Sequence, residues 1–99
     1  MEAKAIQRAF GAAAKTIPVS SVKAMIGHTL GSAGAAEAVI SVLALNTGIL
    51  PPNINYTTPD PECDLNIVDR PGQKASLKRV MSNSFGFGGA NAVLVMQSY

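Results

Sequence analysis

Apolar and polar positions change rhythm several times along this chain, and each rhythm predicts an element. In EAKAIQRAF, Ala3, Ile6 and Phe10 recur at helical spacing with Lys4 and Arg8 opposite, which predicts an amphipathic helix ending near Gly11. TIPVSSV alternates Ile17, Val19 and Ser21 against Pro18, Ser20 and Val22 in a β-favouring composition, so a short strand is expected over about 18–23. From Gly31 or Ser32 to Asn46 the chain is apolar nearly all round, as in a helix buried on more than one side. The first two turns of that helix are Gly and Ala, which lets another backbone approach closely, and Asn46 with Gly48 supplies a stop.

ILPPNINYTTPDPECDLN carries four of the six prolines together with several Asn and Asp, and is expected to be an extended loop. Loops of that length tend to be functional or to wrap a partner. Leu65 to Val68 suggests a brief strand. RVMSNSF and NAVLVMQ read as two strands joined by GFGGA, most simply an antiparallel hairpin. The elements together predict a mixed α/β arrangement built around residues 2–47 and 79–97.

Composition sharpens the picture. Ninety-nine residues suffice for one small domain, yet only 14% are charged, against about 25% in average soluble domains. With 47% hydrophobic residues, the chain is expected to make extensive contacts with something outside its own sequence. The net charge of +2 comes from basic residues that fall singly or in the pair Lys78-Arg79, not in a stripe interleaved with aromatics, so nucleic-acid binding is not expected. Ala33 to Leu45, interrupted by Glu37, is too short to cross a bilayer, and no secretory leader is expected. The single cysteine, Cys63, fits a reducing compartment.

Chemistry is confined to few residues. SFGFGGAN lacks the Gly-Lys-Ser/Thr of a Walker loop, and Asn91 stands where a dinucleotide fingerprint needs glycine, with a strand following instead of a helix. Two readings remain: a tight hairpin with Phe85 and Phe87 as core, or a sharp turn presenting backbone N–H groups and the Phe87 ring to a cavity. Cys63 lies between Glu62 and Asp64, where neighbouring carboxylates disfavour a thiolate, so it reads as structural. One His and one Cys are too few for a typical zinc site, and neither a metal nor a cofactor is expected.

VKAMIGHTLGSAGAAEA sets Lys23, His28 and Glu37 into small apolar surroundings, and His28 is the only histidine. They are either a buried ion pair with a structural histidine or a catalytic group. In the second case an adjacent ammonium favours a neutral imidazole, which donates a hydrogen bond to a carbonyl, and a carboxylate keeps that ammonium ionised. Such a group suits stabilisation of an enolate or oxyanion.

The runs VSSVKAMIGHTLGSAGAAEAVISVLAL, PPNINYTTPDPECDLNIV and MSNSFGFGGANAVLV closely resemble the C-terminal part of the beta-ketoacyl-acyl carrier protein synthases, the condensing enzymes of fatty acid synthesis. The likeness begins at the helix around Glu2, covers almost the whole chain, and is closest to the elongating synthases of the dissociated bacterial type. Polyketide condensing domains share the Lys and His motif but usually differ in the proline loop. The resemblance implies a thiolase-like α/β fold of which residues 1–99 form a partial domain: a mixed sheet with a buried helix and a terminal antiparallel strand pair. It implies decarboxylative Claisen condensation on carrier-bound acyl and malonyl groups in a cytoplasmic enzyme, typically a homodimer, with no nucleic-acid or membrane partner.

By motif match, His28 is expected to be the second of two catalytic histidines, Lys23 the associated lysine and Glu37 its partner. Phe87 matches the gatekeeper whose backbone N–H completes an oxyanion hole, while Phe85 and Asn91 shape and brace the same loop. Ala90 departs from the Thr common in that loop. The nucleophilic cysteine and first catalytic histidine of the family belong to segments upstream of those matched here, so this chain alone is expected to be inactive. It is a piece of a full synthase, a separately encoded complementing subunit, or a non-catalytic module on the same scaffold.

Overall fold

The computed structural model describes all residues, 1–99. Helix α1 spans Glu2–Phe10, with Glu2 in its first turn and Arg8 in its last, each complementing the helix dipole. A 3-10 turn, Gly11–Lys15, leads to strand β1, Pro18–Val19, and then to the one-turn helix α2, Lys23–Ile26. A second 3-10 turn, Leu30–Ser32, runs into α3, Ala33–Thr47. Three strands complete the chain: β2 (Asn66–Ile67), β3 (Arg79–Phe85) and β4 (Asn91–Gln97).

The strands form two separate sheets. β1 and β2 pair in parallel, Pro18 opposite Asn66 and Val19 opposite Ile67, and the Val68 amide extends the ladder to the Val19 carbonyl at 2.9 Å. β3 and β4 form the expected antiparallel hairpin, in register from Arg79 opposite Gln97 to Phe85 opposite Asn91. The strand expected over 18–23 is thus shorter than its composition suggests. Its partner is two residues long, and the Val22 carbonyl starts a helical turn by accepting the Met25 and Ile26 amides.

α3 packs on β3 and, less extensively, on β4. Its small N-terminal residues do allow close approach: a side-chain carbon at Gly34 would lie only 3.6 Å from Ser84 Oγ. At its other end Gly48 adopts the left-handed conformation (φ 67°) and its amide closes the helix on the Ala44 carbonyl at 2.8 Å. Glycine is required there twice over, because an added Cβ would meet the Ala75 carbonyl oxygen at 2.9 Å.

The buried core is small: Ala14, Val22, Ala44 and Val68. α3 is apolar on all sides as the sequence indicates, yet this chain buries only Ala44 of it; Val39, Val42 and Leu43 stay exposed. β4 likewise shows Val93, Leu94 and Val95 to solvent. The burial that the composition calls for is therefore not supplied by these 99 residues.

Leu30–Thr47, counted through the 3-10 turn, is apolar and long enough by composition for a membrane span, with a mean hydropathy of 1.3. Geometry argues against that use. The α-helical part is 15 residues, about 22 Å long against a hydrocarbon core of about 30 Å, and Glu37 is held there in an ion pair.

Candidate functional site

Lys23 opens α2, and Gly27 ends it by donating its amide to the Lys23 carbonyl at 2.9 Å with φ at 81°. From that position Lys23 Nζ donates to Glu37 Oε1 on the second turn of α3, tying the two helices together. The pair is graded in exposure, 15% for the Glu37 side chain and 39% for that of Lys23, so the carboxylate lies inside and the ammonium at the rim. An ion pair at such a boundary forms without full desolvation of either partner.

His28 is exposed and its ring is oriented by a local turn. The Leu30 amide donates to His28 Nδ1 at 3.3 Å. Because Nδ1 accepts, the proton of a neutral imidazole resides on Nε2, which is left to donate outward. Leu30 holds its amide there at φ 51°, a left-handed backbone in which a side chain costs roughly 1–2 kcal/mol. The turn is fixed further by Ser32, whose amide and hydroxyl both donate to the Thr29 carbonyl, at 3.1 and 3.0 Å.

The glycine-rich connection of β3 to β4 is a sharp turn. Gly88 and Gly89 both have φ of 84°, and Gly86 donates to the Ala90 carbonyl at 2.7 Å. Phe87 at its tip is fully exposed and its amide has no partner within the chain. Phe85 is also exposed, so neither ring fills a core here, and Asn91 sits across the ladder from Phe85 at the base of the turn. Contact of Gly34 with Ser84 sets the N-terminal end of α3 beside the end of β3. Along the chain, His28 lies six residues before Gly34 and Phe87 three after Ser84.

Cys63 is half-buried and free, and opens on a cleft lined by α1, Ser20 and Ile67 that includes none of Lys23, His28 or Glu37. No three His, Cys, Asp or Glu side chains are placed to hold a metal ion together. Sequence reasoning missed Leu30, whose backbone angle has no compositional signal, and the loop residues that anchor the strand before α2.

An imidazole whose Nδ1 is occupied, a lysine paired to a carboxylate and a free amide on a glycine turn are groups able to donate hydrogen bonds to a developing oxygen anion. Residues 1–57 match the family described as beta-ketoacyl synthase, C-terminal domain, and the chain belongs to that family. It is 50% identical over 98 residues to 3-oxoacyl-[acyl-carrier-protein] synthase 2 of Staphylococcus aureus (strain COL), covering 99% of this chain and 24% of that protein. The protein of the same name from Coxiella burnetii is 51% identical over 96 residues, covering 97% and 23%. Among solved structures, a type II polyketide ketosynthase in complex with its acyl-carrier protein and bound to the hexaketide superposes with a TM-score of 0.95 at 39% identity, covering 99% of this chain and 24% of that one. The chain spans about a quarter of the length of the curated relatives it matches.

Proposed function

We propose that this chain forms part of the active site of a 3-oxoacyl-acyl carrier protein synthase, an acyltransferase of fatty acid synthesis. The observation that carries the reading is the oriented imidazole: Leu30 occupies Nδ1 of His28, so Nε2–H is available for a thioester carbonyl. The bond between the α-carbon of the malonyl group and its free carboxylate breaks, carbon dioxide leaves, and the electron pair forms an enolate whose oxygen accepts from His28. Glu37 accepts from Lys23 and so ties α3 to the segment that carries His28. The enolate carbon then attacks the acyl thioester, whose carbonyl oxygen becomes an anion held by the Phe87 amide, and the cysteine thiolate departs.

That cysteine and a second histidine belong to the remainder of the synthase, since Cys63 opens on a different cleft. Residues 1–99 accordingly form one partial domain of the thiolase-like fold. Acyl- and malonyl-carrier proteins are the partners, a role supported by the carrier protein bound to the structurally similar ketosynthase. The whole enzyme is a cytoplasmic homodimer. Greater identity to the fatty acid synthases, 50% against 39% for the polyketide ketosynthase, favours fatty acid over polyketide synthesis.

Peptide mapping of source cells tests the reading. PPNINYTTPDPECDLNIVDR should track to a band near four times 10.2 kDa, together with peptides carrying the nucleophilic cysteine. A native band at the mass of this chain alone points instead to a separate subunit. The purified chain should form no condensation product from carrier-bound acyl and malonyl groups; product formation that survives replacement of Cys63 would overturn the half-site assignment.

A further inference from the structure

The segment bearing Lys23 and His28 leaves β1 through Ser20, Ser21 and Val22, and its placement is set from the proline loop. Ser20 Oγ donates to the Pro51 carbonyl at 2.6 Å. Two residues along, the Asn53 side-chain oxygen accepts the Ser21 backbone N–H at 3.1 Å. Asn53 is itself pinned, its backbone N–H donating to the Val68 carbonyl at 2.7 Å, next to the β1–β2 ladder. Val22, the residue after Ser21, is buried.

The first turn of α2 is built directly on this anchored peptide, because the Val22 carbonyl accepts the Met25 and Ile26 amides. Displacing Ser21 and Val22 therefore displaces Lys23 at the head of α2 and, through the Gly27 stop, His28. β1 ends at Val19, so the Ser21 amide lies beyond the ladder and takes its partner from a side chain. Asparagine meets the need with a short, uncharged carbonyl acceptor.

We propose that Asn53, acting through the Ser21 amide, is a positioning residue that sets Lys23 and His28 for decarboxylation of the malonyl group. The inference rests on the roles assigned to Lys23 and His28 above. The proline loop is thereby a brace for the catalytic segment. On the role proposed for His28, which serves the malonyl carbonyl, Asn53 is expected to act on decarboxylation more than on transfer of the acyl group to the nucleophilic cysteine.

The test uses the intact condensing assembly containing this chain, whether one polypeptide or two, and measures both half-reactions separately. Asn53→Leu removes the acceptor at similar volume and is expected to slow malonyl decarboxylation about tenfold or more, since a small misplacement of a catalytic group is costly, while acyl transfer changes by less than about twofold. Asn53→Asp, which keeps an oxygen acceptor for Ser21, should restore most of the lost rate. Equal loss in both half-reactions, no loss in either, or no rescue by Asp overturns the proposal. Ser20→Ala is a milder second variant should Asn53→Leu not fold, with the same selective loss expected in smaller degree and an even loss or none counting against the proposal. His28→Ala separates the two levels: if it leaves decarboxylation intact, the reading of the site fails, and if it abolishes decarboxylation while Asn53→Leu does not, only the positioning role fails.

Discussion

Taken alone, the 99-residue chain should self-associate, and the size of its surface says how strongly. Its accessible area is 7065 Å², whereas a self-contained monomer of this mass exposes about 5,300 Å². The excess, about 1,700 Å², is roughly twice what one partner contributes to a standard interface. A dimer burying about 1,600 Å² in total, some 60% of it apolar, gains roughly 20 kcal/mol gross, above the ~4–15 kcal/mol lost in freedom of motion. It would still leave half of the excess uncovered, so association should run past the dimer. The faces responsible are the outer stripe of α3, where Val39 and Leu43 stand four residues apart, and β4 around Val95, which is 66% exposed. Sedimentation velocity at micromolar concentration should show species well above 10.2 kDa, with binding of a dye that reports apolar surface. Val39→Lys, Leu43→Lys and Val95→Lys combined should shift the distribution toward monomer with little change in helix content, because none of the three is buried. A monodisperse native chain that unfolds cooperatively and binds no dye would refute the argument.

Three further outcomes follow from local geometry. In the intact assembly, Gly48→Ala should destabilise by about 2–3 kcal/mol, combining a left-handed alanine with a collision against the Ala75 carbonyl, while Gly72→Ala, at φ 76° in open space, should lose only about 1–2 kcal/mol; denaturant midpoints for the two variants should therefore differ, and equal losses would remove the collision as a cause. The Lys15 ammonium is bound to Asp64 at 2.8 Å, and that hydrogen bond, followed by the charge attraction, raises its pKa above the ordinary 10.5. A raised folded-state value means that the stabilisation is complete below 10.5 and fades as pH climbs through the folded value; the difference between parent and Lys15→Met should be small, both side chains being well exposed, and should vanish at the alkaline end of a stability profile. Phe87→Ala in the assembly keeps the backbone N–H assigned to the oxyanion and removes only the gatekeeper ring; condensation should fall through loss of that gate without a shift of the thermal midpoint, because the ring is fully exposed and supports no packing within this chain, and a large stability loss would show that the ring is buried against the remainder instead.

Elements whose causes are local were legible in the sequence. The long apolar run became α3, the glycine turn between two β-rich segments became the β3–β4 hairpin, and the 3.6-residue stripe of Ala3, Ile6 and Phe10 became α1. The error over 18–23 also has a local cause. Ile17, Val19 and Val22 favour extended structure, but a strand extends only as far as its partner, and β2 is a two-residue piece 48 positions away. Of the site, Lys23 and Glu37 were legible as an opposite-charge pair in apolar surroundings, and the contact exists. Leu30 was not, since nothing in its side chain favours positive φ. Nor was Asn53, whose acceptor meets an amide 32 residues earlier in the chain.

The polar and apolar parts of this chain are satisfied by different means, and that division bears on how the site forms. The contacts that aim its functional groups have short reach: Leu30 to His28 within one turn, Ser32 to Thr29 in the next, Gly86 to Ala90 around the glycine loop, and Lys23 to Glu37 across 14 residues. Only the brace through Asn53 is more distant, and it too lies within the chain. The apolar surfaces, by contrast, are mostly left open. Orientation of His28 and of the Phe87 amide is thus a property of this segment, while its stability depends on whatever covers α3 and β4. A burial-deficient variant of the covering surface should therefore lower the yield of folded assembly while leaving the turnover of the folded fraction nearly unchanged. A variant at Leu30 or Asn53 should do the reverse. Measuring active-site occupancy alongside rate separates the two, and a covering-surface variant that cut turnover per occupied site would mean that the site is not shaped locally after all.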